Sequence, residues 1–301
     1  MAGRKSPVHR LRGWILGATC DPVDHPLAAS EPASASLQVS TIVWTDVGLK
    51  RPNNEDNFLL FDLFRRTAHP EKAEVKVAVE PPGLLVAVAD GMGGHQAGQV
   101  ASQLCVENLP RELLKRLDAS DGSDSTSAAL VKAVEDTNRM IFDRASRDPG
   151  LFGMGTTLVA ALLSDTTVVV ALAGDSRAYL LNRGSLAQLT TDQTVANYMA
   201  VAQPGLRLDD RMGEMLVQAV GAQATLEVAL TTSTLEPGDV LLLCSDGLYK
   251  TVAADDILNT LETPGSLSAK AEALISLANL NGGPDNVTVL LAEVRQVSKT
   301  A

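Results

Sequence analysis

The chain has 301 residues, 45% of them hydrophobic and 20% charged, enough for one large core or at most two modest domains. A formal net charge of −11 argues against nucleic acid or an anionic membrane surface as the main partner. The three cysteines, Cys20, Cys105 and Cys244, lie far apart and are odd in number, suggesting neither a disulfide framework nor a zinc site, and the four histidines, His9, His25, His69 and His95, show no metal-ligand spacing.

Residues 1 to about 38 mix Pro, Ala, Ser and scattered charge without periodicity and read as a flexible extension. Within it, the apolar patch of "RLRGWILGATC" is shorter than a secretory core of roughly 7–15 residues, and no small-residue cleavage site follows. No apolar run approaches the roughly 20 residues of a membrane helix, so the expected location is the cytoplasm. The folded part, 39–296, opens with the strand-like "LQVSTIVWTDVG", and residues 297–301 read as a tail. "RRTAHPEKAEVK" reads as an exposed loop or hairpin tip.

Leu84 to Ala89 is an unbroken small or apolar run, the signature of a strand buried on both faces. Two helices follow. Ala97–Leu117 carries Val100, Leu104, Leu109, Leu113 and Leu117 on one face, with Pro110 bending or restarting it. Ser127–Arg147 carries Leu130, Val134, Ile141 and Ala145, capped by Thr126 or Ser127. Four strands come next, "TTLVAALL", "TVVVALA", "RAYLL" and "SLAQLT", the last two joined by the hairpin signal Asn182-Arg183-Gly184. "DVLLLCS" is another buried strand, Ser266–Leu280 an amphipathic helix stopped by Gly282-Gly283, and "NVTVLLAEV" the closing strand. Hairpin-linked strands with helices in two groups indicate an α+β fold rather than an alternating one.

The strand ends share a chemistry. Leu84–Ala89 runs into Asp90, with four glycines in the next eight residues; "VALAGDSR" ends at Asp175, "LLLCSDGL" at Asp246, and "GGPDNVTVLL" opens with Asp285-Asn286. A fifth cluster, "RPNNEDNFLLF", places Glu55 and Asp56 before another strand. Any one Asp-Gly pair is an ordinary turn. Five together are not, because clustered carboxylates repel and keep their protons unless a cation neutralises them. Hard oxygen donors without His or Cys point to magnesium or manganese rather than zinc. Asp90 therefore ends its strand facing metal, and the glycines let backbone and ions approach.

In this order, "RPNNEDN", "VADGMGG", "GTT", "GDSRAYL", "SDGL" and "GGPDNVTVLL" resemble the metal-dependent protein phosphatases of the type 2C class (the PPM family), the bacterial Ser/Thr phosphatases in particular, from about Gln38 to Val294. The resemblance implies a four-layer α-β-β-α sandwich with two antiparallel sheets and two ions, Mn2+ or Mg2+, in a cleft at one edge. It implies that Asp90, Asp246 and Asp285 hold one ion, that Glu55, Asp90 and the Gly91 carbonyl hold the other, and that a third would take Asp175 with Asp246. Asp56, among the metal-site acids, and Asn286 would orient water at the ions. Arg51 would grip the substrate phosphate through paired hydrogen bonds that lysine cannot make. The reaction implied is hydrolysis of phosphoserine and phosphothreonine by a water shared between the two ions, with Asp90 and Arg51 as the catalytic pair.

Phosphorylated proteins and a cognate bacterial-type Ser/Thr kinase are the partners this implies, and the chain is expected to be a monomer. The other reading kept open is a catalytically silent, phosphatase-like binding module. Two departures from the family pattern stand out: Met92 replaces a histidine common in eukaryotic members, and the flap, Thr191–Ala224, carries Gln193 and an unusual "RLDDRMGEM". Asp192, Asp209 and Asp210 read as flap surface charge, and His95 as a helix-start group outside the catalytic set.

Overall fold

The protein's structure, a computed structural model, is described for residues 37–79, 81–93, 97–119 and 125–296. The tail at 297–301, His95 and nearly all of the N-terminal extension lie outside these residues. The first strand begins at Leu37, two residues before the expected boundary.

One sheet has six strands: β1 (Leu37–Asp46), β4 (Val75–Ala78), β9 (Arg177–Asn182), β10 (Ser185–Gln188), β12 (Val240–Cys244) and β13 (Val287–Gln296), in the order β10-β9-β12-β13-β1-β4. The other has seven: β2 (Asp56–Asp62), β3 (Thr67–Ala68), β5 (Leu84–Met92), β6 (Gly155–Thr156), β7 (Leu158–Ser164), β8 (Thr167–Ala173) and β11 (Ala229–Thr234), ordered β11-β8-β7-β5-β2-β3 with β6 paired to the end of β5. All pairings are antiparallel. The helices are α1 (Ala97–Ala119), α2 (Thr126–Arg147), α3 (Val195–Ala202), α4 (Asp210–Gly213), α5 (Asp246–Tyr249), α6 (Ala254–Glu262) and α7 (Leu267–Leu280). Among the described residues no helix is long and apolar enough to cross a membrane.

The unbroken apolar run of β5 follows from its position. Leu84, Val86 and Val88 face the other sheet, packing in one cluster with Val39 and Val43 of β1, Leu241 and Leu243 of β12, and Leu290 and Ala292 of β13. The alternate residues Leu85, Ala87 and Ala89 pack with Leu109 and Leu113 of α1 and with Leu130, Val134 and Ile141 of α2. A third cluster puts α6 and α7 against Ile42, Leu242 and Leu291 on the outer face of the first sheet. Helix, sheet, sheet, helix is the resulting order, the α-β-β-α sandwich expected from the motifs. The period of two along each strand assigns alternate side chains to two different cores.

Several local readings change. The helix cap at α2 is Ser125, whose hydroxyl accepts from the Ala128 N–H at 3.2 Å, one residue before the expected cap. Helix α1 runs through Pro110 as one element, with no restart. "RRTAHPEKAEVK" contains β3 and the first residues of β4, so a stretch read as loop supplies two edge strands. Charge along an edge strand discourages pairing with another chain and also hides the strand from a hydrophobicity reading. At Asn182-Arg183-Gly184 the hairpin forms as expected, with Arg183 at φ 49° and Gly184 at φ 78°, the positive pair a two-residue turn requires.

Candidate active site

Antiparallel register gathers the acidic strand ends at one place. Asp56 opens β2 directly opposite Asp90 on β5. Cys244 pairs with Val289, so Asp246 leaves β12 beside the point where Asp285 and Asn286 enter β13. Asp175 follows β8, whose last residue, Ala173, pairs with Leu158 at the start of β7. The threonines of "GTT" fasten this end of β5: the Asp90 N–H donates to Thr157 Oγ1 at 3.0 Å, and the Thr157 N–H returns to the Asp90 carbonyl at 2.8 Å. Asn286 links three segments, accepting from the Glu55 N–H at 2.8 Å and donating to the carbonyls of Val47 and Asn53 at 2.9 Å each.

A cleft of about 650 Å3 results, lined by Glu55, Asp90, Asp175, Asp246 and Asp285, with Arg51 and Lys250 as its cations. Two other cavities are larger. One of about 790 Å3 against α1 and α2 contains none of the expected site residues, and one of about 770 Å3 under the flap contains only Asp175 of them. Chemistry rather than size selects the smaller cleft.

Arg51, Glu55, Gly91, Met92 and Asn286 all line the cleft with the acids, whereas Asp56 does not. It is buried beneath, where Ser245 and Thr288 hydroxyls each donate to its Oδ2 at 2.7 Å. Burial pushes its carboxyl up to about 7, against the pull of those two hydrogen bonds. Asp90 is driven well above the ordinary carboxylate range, first by burial and then by Asp56, Asp246, Asp285 and Asp175. Burial and Asp246 raise Asp175 to about 6, opposed by Lys250. Glu55 is raised as well, chiefly by burial.

This is a site built to receive positive charge. Among the described residues no three His, Cys, Asp or Glu side chains stand grouped to hold an ion. Two of the cleft acids are instead paired with cations: Arg51 Nη2 takes Asp285 Oδ2 at 2.6 Å, and Lys250 Nζ takes Asp246 Oδ2 at 2.9 Å. The donor set nevertheless fits a hard divalent cation. Asp246 Oδ1 and Asp56 Oδ1 are buried without a hydrogen-bond partner, an expensive state for a carboxylate oxygen. Gly98 provides a further indication. A Cβ there would lie 2.3 Å from Glu55 Oε2 and 2.9 Å from the Gly91 carbonyl oxygen, so two hard oxygens converge on the one residue type that admits them.

Three groups escaped the sequence reading. Lys250 follows Asp246 at the i+4 spacing of a helical pair, a signal available only once α5 is recognised. Tyr249 donates its hydroxyl to the Asp175 carbonyl at 3.0 Å. Asp192, read as flap surface charge, is buried and grips Arg177 through Nε and Nη2 at 2.9 and 2.7 Å, with that guanidinium 3.6 Å over the Tyr249 ring. It fastens the flap to the cleft wall. Asp209 caps α4, accepting from the Met212 N–H at 2.8 Å, and Asp210 is exposed. Gln193 accepts from the Gly174 N–H at 2.8 Å, tying the flap to the turn before Asp175.

The family model described as "Protein phosphatase 2C" matches residues 73–285. The serine/threonine phosphatase stp of Listeria welshimeri is 36% identical over 259 residues, covering 85% of this chain and 96% of that protein. The serine/threonine protein phosphatase PstP of Mycobacterium tuberculosis is 36% identical over 265 residues, 87% of this chain but 46% of the longer relative. A solved catalytic domain of PstP in complex with two manganese ions superposes with a TM-score of 0.68 at 36% identity, covering 86% of this chain and 99% of that one.

Proposed function

The chain belongs to the protein phosphatase 2C family, and from that premise we propose that its carboxylate cleft hydrolyses phosphoserine and phosphothreonine in proteins. It is a metal-dependent protein serine/threonine phosphatase, as its relatives are named. The observation that carries the assignment to this cleft is the convergence of Glu55, Asp90, Asp175, Asp246 and Asp285, from distant parts of the chain, around one opening with Arg51. Asp90, Asp246 and Asp285 would hold one ion, Glu55, Asp90 and the Gly91 carbonyl a second.

Divalent ions bound there supply positive charge for the phosphate and make an attacking water acidic enough to react near neutral pH. The chain's own groups do the rest. Arg51, half-exposed and free to turn from Asp285, presents a planar fork to two phosphate oxygens. Asn286 fixes the backbone of Glu55 against the entry to β13, and Asp56 accepts from Ser245 and Thr288 to brace the floor. Water attacks phosphorus, the bond from phosphorus to the seryl or threonyl oxygen breaks, the proton lost by the water is made up on that oxygen through solvent, and the free hydroxyl and inorganic phosphate leave.

Manganese as the working ion, a phosphorylated substrate set maintained by a cognate Ser/Thr kinase, a monomeric state and a cytoplasmic site of action complete the proposal. The net charge of −11 supports the exclusion of nucleic acid as partner. The test is turnover of phosphothreonine peptides with Mn2+, with chelator, and in Asp246→Asn. Phosphate release that requires Mn2+ and disappears in the variant supports the reading. Peptides bound but never cleaved would return the silent binding module.

A further inference from the structure

Lys250 stands among three carboxylates. Its ammonium lies 2.9 Å from Asp246 Oδ2, 3.7 Å from Glu214 Oε2 and 4.0 Å from Asp175 Oδ2. Asp246 and Asp175 belong to the cleft, whereas Glu214 follows α4 in the flap. The lysine lines both the cleft and the cavity under the flap, and so stands at their junction.

We infer that Lys250 is a tethered cation that occupies the Asp175–Asp246 carboxylate pair, keeping a third divalent ion out, and that it latches the flap to the cleft through Glu214. The inference rests on the metal-dependent reading of the cleft and goes beyond it. An ammonium and a divalent ion cannot both contact one carboxylate pair, because like charges a few ångströms apart repel even beside a part-exposed lysine. The lysine is covalently held one turn from Asp246, so it competes at a high effective concentration that no buffer ion matches. The wall behind it is fixed. The Tyr249 hydroxyl donates to Asp175 Oδ2 at 3.2 Å, and Arg177 stacks on that ring while holding Asp192. Asp175 therefore cannot swing away to serve an ion elsewhere. A compact ammonium suits this role better than a guanidinium, being a point charge on a stem that reaches across one helical turn.

The experiment is calorimetric titration of the chelator-stripped full chain with Mn2+. Wild type is expected to take two ions. Lys250→Met, and Lys250→Gln run alongside it, are expected to take three, or to bind the weakest ion at least roughly tenfold tighter. Lys250→Arg keeps the charge and should remain at two. The latch has its own readout, since the flap offers trypsin two sites, Arg207 and Arg211. Cleavage there should accelerate severalfold in Lys250→Met and in Glu214→Gln, the latter with its ion count still at two. A wild type that takes three ions overturns the inference, as do neutral variants identical to wild type in stoichiometry, affinity and trypsin rate. A wild type that binds no Mn2+ overturns this inference and the metal-dependent reading together.

Discussion

The buried acids make stability depend on pH in a direction opposite to that of an ordinary salt-bridged carboxylate. Asp56 moves from its usual 3.8 to about 7 on folding, driven by burial. Below pH 3.8 both folded and unfolded chains carry the proton, and nothing is lost. Above it the unfolded chain ionises while the folded one does not, so the folded state weakens steadily until about pH 7 and then levels off. Between pH 5 and pH 8 Asp56 alone removes about 2–3 kcal/mol, and for a domain of this size that lowers Tm by roughly 5–10 °C. Asp90 and Asp175 act in the same direction. Thermal unfolding in chelator at pH 5 and pH 8 measures the loss. Mn2+ should then raise Tm more at pH 8, where the carboxylates are free to bind it, than at pH 5. Asp56→Asn separates this from the general repulsion of a chain with net charge −11, because it keeps an acceptor for Ser245 or Thr288 and removes the titration. A metal-free protein as stable at pH 8 as at pH 5, or a variant with the wild-type slope, would refute the reasoning.

Arg51→Ala should lower kcat/KM on a phosphopeptide roughly 10–100-fold with only a small loss in Tm, since the Arg51–Asp285 pair is largely solvent-exposed, and Arg51→Lys should not restore the paired contact; steady-state kinetics on both variants decide it. Gly98→Ala would normally favour a helix by about 1 kcal/mol, yet its methyl would stand 2.3 Å from Glu55 Oε2. Weaker Mn2+ binding by calorimetry, together with lost activity, is the expected result, and tighter binding would contradict the role given to Glu55. Asp192→Asn leaves Arg177 without its carboxylate in a partly buried setting and should cost about 1–3 kcal/mol, read as a lower urea midpoint with an unchanged m-value.

Legibility followed the burial of each element. The central strands β5, β7, β8, β12 and β13 are buried on both faces, so their runs of Val, Leu and Ala declare them without any periodicity argument. Strand β11, exposed or half-exposed along its whole length, and the charged edge strand β4 carry no such signature; backbone pairing to β8 and β1 defines them. Short helices are missed for a related reason. Helix α6 buries only Ile257 and Leu261, too few for a periodic stripe to stand out, and α5 spans only four residues, which hid the Asp246–Lys250 pair. The acids were legible because each interrupts an apolar strand at its end, a placement that costs free energy unless function requires it. Asp192 had no such context and was misread, since only the fold reveals that Arg177, fifteen residues earlier in the chain, meets it.

The same economy of charge explains why the cleft can exist in a protein so acidic overall. Buried carboxylates crowded at one edge of a sandwich would oppose folding in their ionised state, yet under the proposed function the chain would have to fold before ions could be held there. Two exits are present in the structure. Asp56 and Asp90 shift upward, towards their neutral forms, while Asp285 and Asp246 borrow Arg51 and Lys250 as counter-charges. The two borrowed cations differ in what they can do next. Arg51 is on an exposed loop and, under the proposed function, would exchange its carboxylate for a substrate phosphate, so one guanidinium would serve as stand-in and as ligand at different times. Lys250, anchored by α5 and facing Asp175 and Glu214 as well, has no such second partner in view and remains part of the wall. On this argument a double neutralisation, Arg51→Ala with Lys250→Met, should destabilise the metal-free protein by more than the sum of the two single changes. Both cations line one cleft and repel one another, a repulsion that each single change relieves and the double change relieves only once, and chemical denaturation of the four proteins in chelator measures that excess directly.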